Sequence, residues 1–140
     1  MSAGRFTLGV LAFDGMVLSE VAAAGDIFLI AEKLDRLRDP RSTLSMRVVL
    51  LGVDGRDRAR TATGLELAVE PAGVQAIDAL MIPGFIHASS EELLAHMGGL
   101  DAERSFIVDC HRRGLPLVSA CCGGFLMAEA GLLDGREATT

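Results

Sequence analysis

Ser119-Ala120-Cys121-Cys122-Gly123-Gly124-Phe125 is the stretch that decides how this chain is read. An apolar run, Leu115-Pro116-Leu117-Val118, leads into it, and a helical pattern, Phe125-Leu126-Met127-Ala128-Glu129-Ala130, leads out. A cysteine at the sharp turn from a buried strand into a helix has the form of a nucleophile elbow, in which strained backbone lifts the side chain out. Unsatisfied N–H groups at a helix N-terminus favour the thiolate over the thiol. Glycines after the cysteine let helix and strand pack closely, and the Cys122 N–H points where an oxyanion would sit. Cys121 is therefore the candidate reactive atom. The competing reading is a small buried hydrophobe, a common role of free cysteine.

Outward from the elbow, apolar runs alternate with helical spacings. Residues 6–13 predict a buried strand, and Asp14-Gly15 a turn. Leu18, Val21, Ala24, Gly25, Phe28, Ala31 and Leu34 predict an amphipathic helix over 18–36. Strands follow at 46–51 and 79–82. Between them Leu65, Leu67 and Val69 alternate with Glu66, Ala68 and Glu70 as a half-exposed strand after Gly64. Ser89 and Glu92 form a capping-box pattern opening a helix to Met97. Asp101 is the expected cap of a helix to Arg113, ended by Gly114. This order predicts an α/β fold: a mainly parallel sheet with helices on both faces, in a flavodoxin-like three-layer sandwich. Such sheets bind ligands at the carboxyl ends of their strands. That draws attention to Asp14 onward, Pro83-Gly84-Phe85 and Cys121.

The residues from Ser119 to Phe125, followed by Glu129-Ala130-Gly131-Leu132-Leu133-Asp134-Gly135-Arg136-Glu137-Ala138-Thr139-Thr140, resemble the ThiJ/PfpI superfamily, the class I glutamine-amidotransferase-like fold. The likeness is to the branch holding the sensor domains of AraC-type transcriptional regulators and the isocyanide hydratases. Its signature reads roughly Ser-Val-Cys-Thr-Gly-Ala-Phe, then Ala-Gly-Leu-Leu-Asp-Gly-Arg-x-Ala-Thr-Thr-His-Trp. Cys121 takes the cysteine position, while Cys122 replaces a threonine and Gly124 an alanine. The match is specific over 119–140 and looser from about residue 6 onward.

The resemblance implies roles for residues elsewhere. An acidic residue near the start of the first helix points at the cysteine in this family, which makes Glu20 the candidate carboxyl partner of Cys121. Pro83-Gly84-Phe85 matches a Pro-Gly-Gly loop that lends backbone N–H groups to an oxyanion hole, with Phe85 in place of the second glycine. Gly84, Phe85 and Cys122 are thus candidate ligand- or oxyanion-binding residues, and His87, just after the loop, is a candidate pocket lining. The family pattern places a histidine after Thr140, and then further strands. The expectation is one ThiJ/PfpI-like domain over 1–140, truncated before its last strands.

Composition bears on partners. The chain has 140 residues, half of them hydrophobic, with only 4% aromatic and a net charge of −6. An acidic chain is poorly suited to gripping a phosphate backbone. Basic residues at 33–41 and 56–60 are interrupted by aspartates and read as solvated. Three cysteines, two adjacent, make no disulfide framework, so a reducing cytoplasm is the expected compartment. Pro116, Gly123, Gly124 and Glu129 interrupt the apolar 115–133 stretch, which argues against a membrane span. No metal-ligand spacing or phosphate loop is visible, and no metal or cofactor is expected. His96 and His111, near helix ends, read as solvated. Cys110 and His111 point to different helix faces.

The leading expectation is the ligand-sensing N-terminal domain of an AraC-type regulator, homodimeric, binding a small molecule. DNA would be reached only through a C-terminal helix-turn-helix domain outside these residues. The alternatives are a cysteine-dependent enzyme of the isocyanide hydratase or amidase type, and a stress-response thiol protein.

Overall fold

Strand β1 (Arg5–Ala12) is buried from Thr7 to Ala12, without the alternation of a half-exposed strand. That pattern belongs to a strand covered on both faces. The computed structural model describes residues 4–73 and 76–139, and in it β1 is the centre of a five-stranded parallel sheet. β1 pairs along its whole length with β2 (Ser45–Gly52), Arg5 opposite Ser45 and Ala12 opposite Gly52. On its other side it pairs with β6 (Ala79–Ile82), Leu8 opposite Ala79. β7 (Leu117–Ser119) flanks β6, and the two-residue β5 (Glu70–Pro71) flanks β2. The chain moves outward from β1 to β2 and then returns across β1 to β6. The strand order therefore reverses between β1 and β6, where a parallel sheet opens a crevice at its carboxyl edge.

Helix α1 (Leu18–Arg38) lies against β2. The Glu32 carboxylate ties it there by accepting the Met46 N–H. The expected stripe is buried at Val21 and Ala24 and half-buried at Leu18, Gly25, Phe28 and Ala31. Leu34 departs from it, being 47% exposed, and Ile27, Ile30 and Leu37 are exposed as well.

The half-exposed strand expected over 65–70 is divided. β4 (Glu66–Ala68) forms an antiparallel hairpin with β3 (Arg58–Arg60), while Val69 is buried and β5 joins the main sheet. Val69 N–H donates to the Asp57 carbonyl at 3.0 Å, so the chain changes partners within one residue.

Helix α2 (Ser90–Gly98) starts as read: Ser89 Oγ accepts the Glu92 N–H at 3.2 Å. The reciprocal arm of the capping box is shifted, because Glu92 takes the N–H of Ala88. Asp101 is not the cap of α3 (Asp101–Arg112). Leu100 holds that position with no side-chain bond, and Asp101 instead pairs with Arg104 in the first turn. α3 turns Glu103, Ile107 and Cys110 inward, and buried Glu103 faces Arg56 at 3.4 Å. Helix α4 (Gly123–Glu129) follows β7 and buries Leu126 completely.

Two substitutions test this packing by denaturant unfolding. Ser89→Ala removes one helix cap and should cost about 1 kcal/mol. Leu126→Ala empties a fully buried site and should cost about 2–5 kcal/mol.

Candidate functional site

Three strand exits meet at the crevice. After β1 the chain runs through buried Phe13, the exposed Asp14-Gly15 turn and buried Met16. Gly15 N–H donates to the Arg60 carbonyl at 2.8 Å, and Ala62 N–H to the Met16 carbonyl at 2.9 Å. On the other side Val17 N–H donates to the Gly84 carbonyl at 2.9 Å. The loop is thus fastened between the β3–β4 hairpin and the loop after β6. Held this way, α1 begins at Leu18 and presents half-buried Glu20 from its first turn. Glu20 Oε2 accepts the Gly84 N–H at 2.6 Å.

The exit of β7 is locked onto that same loop. Ala120 N–H donates to the Ile82 carbonyl at 3.0 Å. Gly123 then passes so close to β6 that a Cβ there would run into the Ile82 carbonyl oxygen and stand 2.8 Å from that of Pro83. Between them Cys121 is exposed and holds φ at 47°, a left-handed conformation that is uncommon outside glycine. Cys122 is turned the other way and buried. Its Sγ accepts the Phe85 N–H at 3.1 Å and donates to the Phe85 carbonyl at 2.8 Å. Burial pushes the Cys122 thiol pKa up, against a smaller opposing pull from the Phe85 N–H. Burial likewise raises that of Cys110 in α3.

Gly84 lies between the two groups singled out in the sequence. A Cβ at this position would stand 3.0 Å from Cys121 Cβ and 3.3 Å from Glu20 Oε1. Cys121, Glu20, Gly84, Phe85 and Cys122 are therefore neighbours. Glu20, however, spends its hydrogen bond on the Gly84 amide, and none joins it to Cys121. The loop amides expected to be open donors are both engaged, Gly84 with Glu20 and Phe85 with Cys122. The Phe85 side chain is buried, at 2% exposure. His87 is half-buried with its ring 6.1 Å from that of Phe85, and its buried Nδ1 has no hydrogen-bond partner.

His96 was read as solvated, and the structure corrects this. It is half-buried, its ring centroid 4.6 Å from Phe85 and 6.2 Å from Phe13. Its Nε2 is 2.8 Å from the Asp14 carbonyl. Gly15, at φ 89°, leaves room for the ring, because a Cβ there would collide with His96 Cε1. The one sequence signal was the Asp14-Gly15 pair; the docking of α2 that brings His96 to it is tertiary. His111 is exposed as expected.

A cavity of about 300 Å³ is lined by Asp14, Gly15, Arg58, Arg60, Thr61 and Glu66, and so shares the β1 exit but neither cysteine. Among the described residues no group of three or more His, Cys, Asp or Glu gathers to hold a metal ion. Nor is any of their helices long and apolar enough to cross a membrane.

No family model matches the sequence. Among solved structures, the chain is similar to an AraC family transcriptional regulator from Pseudomonas putida, with a TM-score of 0.65 and 21% identity over 94% of this chain and 64% of that one. It is similar to Drosophila melanogaster DJ-1beta, with a TM-score of 0.64 and 14% identity over 91% of this chain and 61% of that one. The chain shares its fold with these structures. It is likewise similar to a putative transcriptional regulator from Vibrio parahaemolyticus, with a TM-score of 0.68 and 17% identity over 93% of this chain and 63% of that one. The chain thus spans less than two thirds of the length of these solved structures. In sequence it is 26% identical, over 142 aligned residues, to a Streptomyces lividans protein named "Uncharacterized protein in cpoL 5'region", covering 100% of this chain and 90% of that protein.

Limiting iodoacetamide near neutral pH should label Cys121 first, because it alone of the three thiols is exposed. Peptide mapping that found Cys110 or Cys122 modified first would contradict the site. The raised Cys122 pKa means that the fold favours the thiol form. Its contribution to stability is complete below the ordinary thiol value of 9.0 and is lost as pH climbs through the raised value. Unfolding midpoints should therefore fall at alkaline pH, and fall less in Cys122→Ser, whose hydroxyl does not ionise. Gly123→Ala should cost about 1–3 kcal/mol through overpacking against the β6 carbonyls.

Proposed function

We propose that this chain is the ligand-sensing domain of an AraC-type transcriptional regulator, with a small molecule bound at Cys121 and Glu20. The observation that carries the reading is that both amides of the Gly84-Phe85 loop are already satisfied, by Glu20 and by the Cys122 thiol. Acyl-transfer chemistry needs donors aimed at the place where negative charge develops, and donors already bonded do not serve it. A sensor gains from the same arrangement. A ligand that competes for Glu20 or Cys122 releases the loop after β6, and that loop also holds the start of α1 through Val17. A ligand shifts such an equilibrium only as far as it binds the two states differently. The net charge of −6 supports leaving DNA contact to a separate helix-turn-helix domain. Two of the similar structures are named as transcriptional regulators, which agrees with the reading.

The second reading is a cysteine-dependent enzyme of the isocyanide hydratase or amidase type. It is favoured by the exposed Cys121 at positive φ and by the nearby carboxylate. In either case free thiols suit a reducing cytoplasm. The exposed apolar residues of α1 and Val118 on the outermost strand suit a homodimer, so sedimentation should show a species above 14.7 kDa.

One experiment separates the two readings. Small molecules, isocyanides and amides among them, are screened for a rise in Tm of the wild type that is lost in Cys121→Ser and Glu20→Gln. Consumption of each hit is followed in parallel. A Tm shift without consumption is expected. Consumption that depends on Cys121 would establish the enzyme and overturn the sensor.

A further inference from the structure

The charged cavity beside the β1 exit is used by neither reading of the elbow. Its outer wall is the β3–β4 hairpin. Along β3 the side chains alternate: Ala59 is buried, while Arg58 and Arg60 are exposed on the other face. Strand β4 sets Glu66 directly opposite Arg60. Both guanidiniums turn to this one carboxylate, Arg60 at 2.9 Å from Oε1 and Arg58 at 3.7 Å from Oε2. Two positive charges thus converge on a single negative one at the wall of a cavity of about 300 Å³. Arg56 is drawn elsewhere, to buried Glu103 at 3.4 Å and to Asp14 at 3.8 Å. The main chain fixes the framework. Gly15 N–H donates to the Arg60 carbonyl and Thr61 N–H to the Leu65 carbonyl, each at 2.8 Å. Asp14 Oδ1 accepts the Arg60 backbone N–H, also at 2.8 Å.

We propose that Arg58 and Arg60 form a binding site for a small phosphomonoester, with Glu66 as the internal group that the phosphoryl displaces. A guanidinium carries five N–H donors, and among the described residues the guanidiniums of these two meet only Glu66. Exposed ion pairs of this kind are weak, so the carboxylate yields. A free monocarboxylate gains nothing by replacing it. It offers the same charge and the same two oxygens, without the tether that keeps Glu66 close. A phosphomonoester brings a charge of about −1.5 to −2 and three acceptor oxygens. Arginine receives it bidentately. Its charge matches the two guanidiniums once the Glu66 side chain, 46% exposed, has turned into water.

Convergence on one point selects a compact dianion over one with its charges spread apart. The rest of the lining has no large apolar side chain, so the ester carries a small hydrophilic body. The net charge of −6 does not oppose this. Exposed charges beyond a Debye length, about 8 Å at physiological salt, are largely screened. The site contains neither elbow cysteine and is independent of the role given to Cys121.

The probe is glycerol 3-phosphate, titrated into the chain by isothermal calorimetry at low ionic strength, with acetate as the monocarboxylate control. Saturable binding at one site per chain is expected, weakening as salt is raised. Acetate should show none over the same range. Arg58→Gln and Arg60→Gln should each weaken binding about tenfold or more. Glu66→Gln should tighten it about fivefold, because the internal competitor is gone. A hairpin damaged by substitution does not bind more tightly, so this gain separates the site from a folding defect. Cys121→Ser should bind as the wild type does. Absence of saturable binding, full affinity in either arginine variant, or lost affinity in Cys121→Ser would overturn the proposal. So would weaker binding in Glu66→Gln, since the carboxylate would then be a contact of the ligand and not its competitor.

Discussion

The close approach of Gly123 to the carbonyl oxygens of Ile82 and Pro83 is the constraint on which the site depends. It lets the turn between β7 and α4 press against the end of β6. A side chain at 123 would hold the two loops apart. With them together, Cys122 reaches the Phe85 backbone and Cys121 comes beside Gly84. A second absence of side chain, at Gly84, leaves room for Cys121 and Glu20 on the same spot. The third is at Gly15, where His96 fills the space over the turn. Each is a place where backbone must approach something closely, the recurring use of glycine in α/β loops.

The polar accounting around this contact sets the chemistry. Buried N–H groups find acceptors in native structures, and here the acceptors are side chains of the site itself. Glu20 satisfies Gly84, and the Cys122 sulfur satisfies Phe85. The groups that a catalyst would aim at substrate are used to hold the loop. The aromatic packing of Phe85 against Phe13 and His96 reinforces that use, since it places a ring beneath the loop and keeps the amide in register with Cys122. The loop is thereby held through bonds of modest strength, each worth about 1 kcal/mol net.

Much of this was legible in the sequence. Apolar runs at 6–13 and 79–82 marked buried strands and the stretch 46–51 a further strand, and the structure has strands there. Ser89 announced its helix through a local bond to Glu92. The turn from β7 into α4 at Cys121 was legible because strand, cysteine, glycines and helix are contiguous, so every relevant distance is short in sequence. Asp101 misled, since a capping residue type also serves inside a first turn, where it pairs with Arg104. The alternation at 65–70 read as one strand because periodicity does not register a change of partner.

The sequence by itself determined the order of elements, the parallel sheet and the place of Cys121 at a turn, because these follow from patterns among near neighbours. Only the tertiary structure decided what the site's polar groups do. Glu20 and Gly84 lie 64 residues apart, Phe85 and Cys122 37, and Asp14 and His96 82. No local pattern encodes which of several acceptors a buried N–H takes. That choice falls to whichever group packing brings within reach, and here packing brought Glu20 and Cys122 to neighbouring amides of one loop.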